Sequence, residues 1–295
     1  MTTTKIELIK QHIDSFPVLP ATVTRLLEVT NSPESSADDV MTVILPDQSL
    51  CLTILKIANS ALFGRPQKVD SIKMAVTILG FNEVQRIALN KALLNSFDKL
   101  ARQHKLFIDR YWTHSFVCGM AARRIAKDVD LAPDIAFMGG LIHDTGKLIM
   151  LETFSDDYAV EHWMTKFSDE EMLHNELQMF SFTHDLVGGQ LLRQWHFPEI
   201  LISAVANHHR PSKVVEGKGL AHVIQLADLL SFYCCTQKSL GTEDILPLVL
   251  NSLPDLSSRW QECGLTVTND AIKGWFDWLS DNFEQSANLR QAFSS

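Results

Sequence analysis

Apolar residues recur along this chain at intervals of three and four, the period of a helix with one buried face. In ATVTRLLEVT they bring Val23, Leu26, Leu27 and Thr30 to one side, and in QSLCLTILKIANSALF they do the same with Leu52, Leu55 and the neighbours Ile57 and Ala58. No segment shows the strict alternation of a half-buried strand, so the pattern predicts an all-α fold. Breaks fall where helix chemistry puts them. Pro17 and Pro20 precede one helix, Ser36 in NSPESS is placed to cap another, Pro46 stands before Asp47, and Gly64 to Pro66 follow NSALF. SIKMAVTILGFNEVQRIALNKALLNSF reads as a helix, a break at Gly80 and a second helix with Val84, Ile87 and Leu94 on its apolar side.

Short connections imply antiparallel neighbours, and the pattern divides into two helical lobes with an extension. The first lobe covers residues 1–100. The second, residues 101–236, holds long helices around YWTHSFVCGMAARRIAKDV, DIAFMGGLIHDTGKLIMLETF, THDLVGGQLLRQWHF, PEILISAVANHHR and LAHVIQLADLLSFY. Residues 237–295 form a C-terminal helical extension in which Trp275, Trp278 and Phe283 are available to dock on the body.

Composition narrows the function. A formal net charge of -9 argues against a phosphate-backbone binder, which needs a basic face, so nucleic acid is excluded as a partner. The N-terminus lacks a continuous apolar region and no later run approaches the roughly 18 apolar residues of a membrane span, which predicts a soluble, cytoplasmic protein without membrane contact. Five cysteines with no C-x-x-C spacing do not describe a disulfide scaffold.

The chemistry lies in the eleven histidines. His12, His104, His162, His174, His196 and His222 stand singly among polar or mixed neighbours and are expected to be surface or structural residues. His114, His143, His184, His208 and His209 instead fall within apolar helical stretches of the second lobe, accompanied by Asp144 and Asp228. Each alone reads as a core histidine bonded to a carbonyl; seven such groups together read as ligands. Neutral imidazoles and carboxylates suit first-row divalent metals, and a bound cation offsets the cost of burying two aspartates. The adjacent His143 and Asp144, about 100° apart on a helix, could serve one ion and bridge to a second. Gly139, Gly140, Gly188 and Gly189 cost helix propensity, roughly 1 kcal/mol each, which predicts close helix packing around the site or ordinary core packing.

The order His114, the HD pair at 143 and 144, His184, the HH pair at 208 and 209, and Asp228 resembles the ligand order of HD-superfamily phosphohydrolases, particularly the HD-GYP branch. FPVLPATVTRLLEVTNSPESSADDVMTVILPDQSLCLTILKIANSALFG, followed by SIKMAVTILGFNEVQRIAL, is similar to the opening of HDOD domains, in which a multi-helix lobe precedes an HD-like lobe. LLRQWHFPEILISAVANHHRP fits the same family, and the resemblance covers about residues 14–235.

This resemblance implies a bacterial signal-transduction or regulatory protein with an HD-type metal site. The alternative it implies is an active metal-dependent phosphohydrolase acting on a nucleotide or other phosphoester. Many HDOD members have lost the HD ligands and work as signalling or scaffolding modules, whereas this chain keeps all seven. The resemblance assigns His114, His143, Asp144 and Asp228 to one ion and His184, His208 and His209 to a second, with Asp144 bridging. Two ions of iron, manganese, zinc or nickel are therefore expected. Asp144 and Lys147 would be the catalytic residues. Lys147, four residues beyond His143, reads either as a cation for a substrate phosphate or as a solvated helix lysine, and Arg210 is a second such cation. Two departures limit the transfer. Arg110 stands where some HD-GYP members carry a glutamate one turn before the first histidine, which removes the expectation of a third ion. The run RPSKVVEGKGLAHV after His209 lacks the Gly-Tyr-Pro signature associated with cyclic di-nucleotide hydrolysis. A signalling protein is the expected partner, met by the first lobe at a surface that includes Arg65 and Lys68 of the GRPQK loop.

Overall fold

The computed structural model describes residues 4–32, 34–59, 69–155, 158, 169–214, 216–237 and 241–283. The expected break at Gly64 to Pro66, His162, and the surface at Arg65 and Lys68 lie outside them. Among the described residues there is no strand. The helices are α1 (Lys5–Ser15), α2 (Ala21–Asn31), α3 (Ala37–Ile44), α4 (Gln48–Ala58), α5 (Ile72–Leu79), α6 (Phe81–Ser96), α7 (Asp98–Gln103), α8 (Lys105–Asp128) and α9 (Pro133–Ile142). They continue as α10 (Thr145–Thr153), α11 (Asp169–Phe180), α12 (His184–Gln194), α13 (Glu199–Ala206), α14 (Lys218–Thr236), α15 (Thr242–Ser252), α16 (Leu256–Gln261) and α17 (Asn269–Asp281). The chain folds as all-α.

Two compact units emerge. One is Pro17–Gln103, holding α2 to α7. Its helix starts are set by short polar side chains that satisfy backbone N–H groups left over at a helix end. Ser36 accepts from the amide of Asp39 while Asp39 returns the bond, Asp47 accepts from Leu50 at 2.9 Å, and Ser71 accepts from Met74 at 3.2 Å. Gly80, at a φ of 78°, turns the chain between α5 and α6, a conformation that costs a glycine little. The apolar stripes then meet: Leu26 of α2, Val40 and Ile44 of α3, Ile54 and Ile57 of α4, and Ile87 of α6 are fully buried.

The other unit takes α1 together with His104–Phe283. Its centre is the 24-residue α8, against which α9, α14 and α17 pack, while α12 lies between α10 and α13. From the C-terminal segment, Trp275 is buried and its indole N–H donates to Asp128 at the end of α8, 2.8 Å away. Among the described residues one helix, α14, is long and apolar enough by composition to cross a membrane, in contrast to the sequence expectation. Some 67% of that stretch is buried, and α14 serves as an inner helix of this unit.

Candidate metal centre

The HD pair does not sit inside one helix, as the apolar run around it suggests. Helix α9 ends at Ile142, α10 begins at Thr145, and Asp144 has left helical geometry at φ -99° and ψ 7°. The break turns His143 and Asp144 into the same space. Two glycines bring the supporting helices close enough for this. A Cβ on Gly140 would lie 2.8 Å from the carbonyl oxygen of Cys118 on α8, and one on Gly146 would lie 1.9 Å from that of His184 on α12. Neither contact tolerates a side chain.

Around Asp144 the histidines converge. His184, His208 and His209 form one buried group with Asp144, and His114, His143 and Asp228 form another, the ligand atoms of each lying within 4.8 Å of one another. The two oxygens of Asp144 divide between them. Oδ1 lies 3.3 Å from His184 Nε2 and 3.7 Å from His208 Nε2. Oδ2 lies 3.3 Å from His143 Nε2 and 4.0 Å from His114 Nε2, and Asp228 Oδ1 closes that side at 2.9 Å from His114 and 3.4 Å from His143. All seven predicted ligands thus meet in one place. Its outer edge is formed by His114 and Asp228, each 18% exposed, while the side chains of His143, His184 and His208 are fully buried.

What fixes the imidazoles is the bond each makes at the opposite nitrogen. His143 Nδ1 donates to the Gly140 carbonyl at 2.7 Å and His208 Nδ1 to that of Val205 at 2.7 Å. The Ser231 hydroxyl spends its proton on the Asp228 carbonyl, 2.8 Å away, and so accepts from His114 Nδ1 at 3.1 Å. His184 Nδ1 donates to the Glu176 carboxylate at 2.8 Å. In all four, Nδ1 is tied outward and Nε2 is aimed inward, so the neutral ring would keep its proton at Nδ1, the tautomer a metal ligand requires. Nε2 of His143 and His208 and Oδ1 of Asp144 are buried without a hydrogen-bond partner among the described residues. His184 Nε2 and His209 Nε2 face each other at 2.9 Å. Imidazoles and carboxylates gathered in a dry site need compensating charge, which protons on His143 and His184 supply in part and a divalent cation between the two groups would supply in full. The residues present therefore fit a metal.

Sequence reasoning missed the groups behind the ligands. Glu176 of α11 is buried, accepts from both the backbone and ring nitrogens of His184 at 2.8 Å, and receives the Tyr158 hydroxyl at 2.8 Å. Its signal was a carboxylate on the apolar stripe of α11, between buried Leu173 and Phe180. Asp185, also buried, accepts from Thr183 and from Arg210 Nη2, the latter at 2.8 Å. Arg210 is thereby tied to a carboxylate beside the site. Lys147 is buried rather than solvated, with Nζ 2.6 Å from Asp144 Oδ2. Arg110 is exposed on α8, and the lone histidines divide: His174 and His196 are exposed, whereas His222 is fully buried.

The charges are strongly coupled. Burial alone would raise the carboxyl of Asp144, but His143 and Lys147 hold it well below the usual range, and His143 and His114 do the same for Asp228. Burial works against protonating His143, which Asp144 nonetheless draws well above an ordinary histidine. The same contest at His184 is won by Glu176, which pushes it up to about 9. His208 stays well below the ordinary value because it is buried beside His209 and His143.

The fold has counterparts among known proteins. The model of the HDOD domain matches residues 16–211, well over half the chain. The chain belongs to the HDOD family. Among solved structures, this HDOD protein resembles an HDOD domain protein of unknown function from Geobacter sulfurreducens, with a TM-score of 0.71 at 20% identity over 96% of both chains. It resembles a protein named as a candidate phosphohydrolase from Shewanella amazonensis, with a TM-score of 0.73 at 19% identity over 97% of this chain and 98% of the other. A protein named as a candidate signal transduction protein from Marinobacter aquaeolei matches with a TM-score of 0.72 at 17% identity, over 99% of this chain and 66% of that one. In sequence, an uncharacterized protein of Treponema pallidum is 25% identical over 238 residues, 77% of this chain and 44% of that protein. Ribonuclease Y of Lactobacillus acidophilus is 26% identical over 143 residues, 48% of this chain and 21% of that enzyme. The chain spans less than half the length of these curated relatives.

Proposed function

We propose that this HDOD protein is a regulatory component of a bacterial signalling pathway whose second unit binds two divalent transition-metal ions, iron, manganese, zinc or nickel. The observation that carries this reading is the set of four imidazoles tethered at Nδ1, with their Nε2 atoms gathered around the two oxygens of Asp144. His114, His143 and Asp228 would hold one ion, His184, His208 and His209 the other, and Asp144 would bridge. The signalling role draws on family membership and on the name of the Marinobacter neighbour. The partner would be another signalling protein, and five cysteines with no disulfide among them suit a reducing cytoplasm. Metal analysis of protein purified without chelator tests the reading: two ions per chain support it, and a chain that takes up none from any of the four metals refutes it.

A second reading has its own support. The ligand set is complete and opens outward at His114 and Asp228, as a phosphohydrolase acting on a nucleotide or other phosphoester would need. When bound, the metals would supply Lewis-acid activation of water and of the phosphoryl group. Asp144 would hold the reacting centre in place, with Lys147 lending it a positive charge at 2.6 Å. The buried walls would exclude bulk water. A panel of nucleotides, cyclic di-nucleotides and simple phosphoesters, assayed with manganese or iron supplied, separates the two: turnover favours the enzyme, and its absence on the whole panel favours the regulatory module.

A further inference from the structure

A second polar cluster lies outside the residues matched by the family, where the start of α14 meets α16. Lys218 and His222 are one turn apart on α14, Arg259 stands in α16, and Glu262 follows its end. Lys218 Nζ reaches Glu262 Oε2 at 2.9 Å and ties the two elements together. That bond takes up Glu262 Oε2, and with Lys218 and Arg259 set against one carboxylate the group carries a surplus of positive charge.

Burial then makes the surplus chemically specific. His222 is fully buried, and neither of its ring nitrogens has a hydrogen-bond partner among the described residues. Nε and Nη2 of Arg259 are likewise buried and without an acceptor among them. These two nitrogens form one edge of the guanidinium, the fork that grips two oxygens of a single carboxylate or phosphate. An unsatisfied buried donor costs roughly 1 to 3 kcal/mol, and more when it is charged. Burial holds His222 down to about 4, with Arg259 and Lys218 acting in the same direction and Glu262 against them, so its ring is neutral and has one N–H to give.

We propose that the junction of α14 and α16 is a binding site for a small oxyanion, gripped by the Nε–Nη2 edge of Arg259 and by a ring nitrogen of His222. Phosphate and carboxylate share the chemistry, two oxygens on one fork and a third contact to the imidazole. The site is separate from the seven metal-ligand candidates and uses none of them.

The test follows the Arg Nε–H and histidine ring signals of the full chain by nitrogen-15 NMR during titration with inorganic phosphate and, separately, acetate. Saturable movement of the Arg259 and His222 signals is expected. Response to phosphate alone identifies a phosphate-type ligand, and response to both identifies a general oxyanion site. Arg259→Lys keeps the charge but loses the fork, so binding should weaken by about tenfold or more. Absence of a saturable response in wild type, or equal binding by Arg259→Lys, overturns the proposal. Should that variant fail to fold, crystals of wild type soaked in selenate decide: a selenium peak marking a selenate with an oxygen within hydrogen-bond reach of Arg259 Nε supports the site, and water alone there refutes it.

Discussion

Lys147 Nζ lies 2.6 Å from Asp144 Oδ2, with both side chains buried. The lysine is one turn along α10 from a carboxylate that faces every candidate ligand group, and it neutralises that carboxylate in the metal-free protein. Lys147→Met should therefore leave His143 as the main charge opposite Asp144 and destabilise the metal-free fold by about 3 kcal/mol. It should also free Oδ2, so added manganese should raise the melting temperature of the variant more than that of wild type. Thermal melts with and without metal check both directions; equal metal-induced shifts would show that Lys147 does not compete for Asp144.

Glu176 acts through His184. Its carboxylate takes the Nδ1 proton and the backbone N–H together, which fixes the ring and makes Nε2 a stronger donor. Glu176→Gln retains the shape and removes the charge, and metal affinity should fall by about 10- to 100-fold. Tyr158→Phe, which removes the hydroxyl bonded to Glu176, should cost less. Competition against a metal indicator dye measures both, and undiminished affinity in Glu176→Gln would remove Glu176 from the account.

The pH dependence has two opposite signs. Folding raises His184 to about 9, above the 6.5 of an ordinary histidine. Its protonation thus stabilises the metal-free fold in full below about pH 6.5, and this contribution is lost as pH rises through about 9. Metal uptake must displace the same proton, so affinity should climb with pH towards about 9, by about tenfold per unit for each proton released. Calorimetry in buffers of different ionisation enthalpy reads the proton count. Uptake without proton release below pH 8 would contradict the assignment of His184 as a ligand.

Gly146 tests the packing that brings α10 against α12. Its Cβ would meet the His184 carbonyl at 1.9 Å, with backbone on both sides. Gly146→Ala should force the two helices apart, destabilise the protein by about 3 kcal/mol and weaken metal binding by displacing His184. Urea unfolding and metal titration of the same variant check this, and a fully stable Gly146→Ala would refute the close approach.

Much of this was legible in the sequence, for identifiable reasons. The helical period predicts the all-α fold because most helices bury a single stripe, as Val40 and Ile44 do in α3, and Ser36 caps where its chemistry says it should. The break between Ile142 and Thr145 was not legible, because apolar residues continue on both sides and nothing there marks a helix end. Glu176 lies on the apolar stripe of α11, but only packing shows that it stands behind His184. His222 read as unremarkable from its mixed neighbours, yet α14 turns it wholly inward. Side-chain pairings between segments far apart in sequence, such as Trp275 with Asp128, leave no local periodic trace.

If Asp144 joins two metal sites, calorimetric titration of metal-free wild type and Asp144→Asn with manganese will show it. The substitution keeps the size of the side chain and removes the charge that both ligand groups face. The account predicts two ions per chain for wild type and, for a variant that remains folded, affinity at least about tenfold weaker at both. Wild type that binds no ion, or Asp144→Asn that binds two as tightly as wild type, would contradict it.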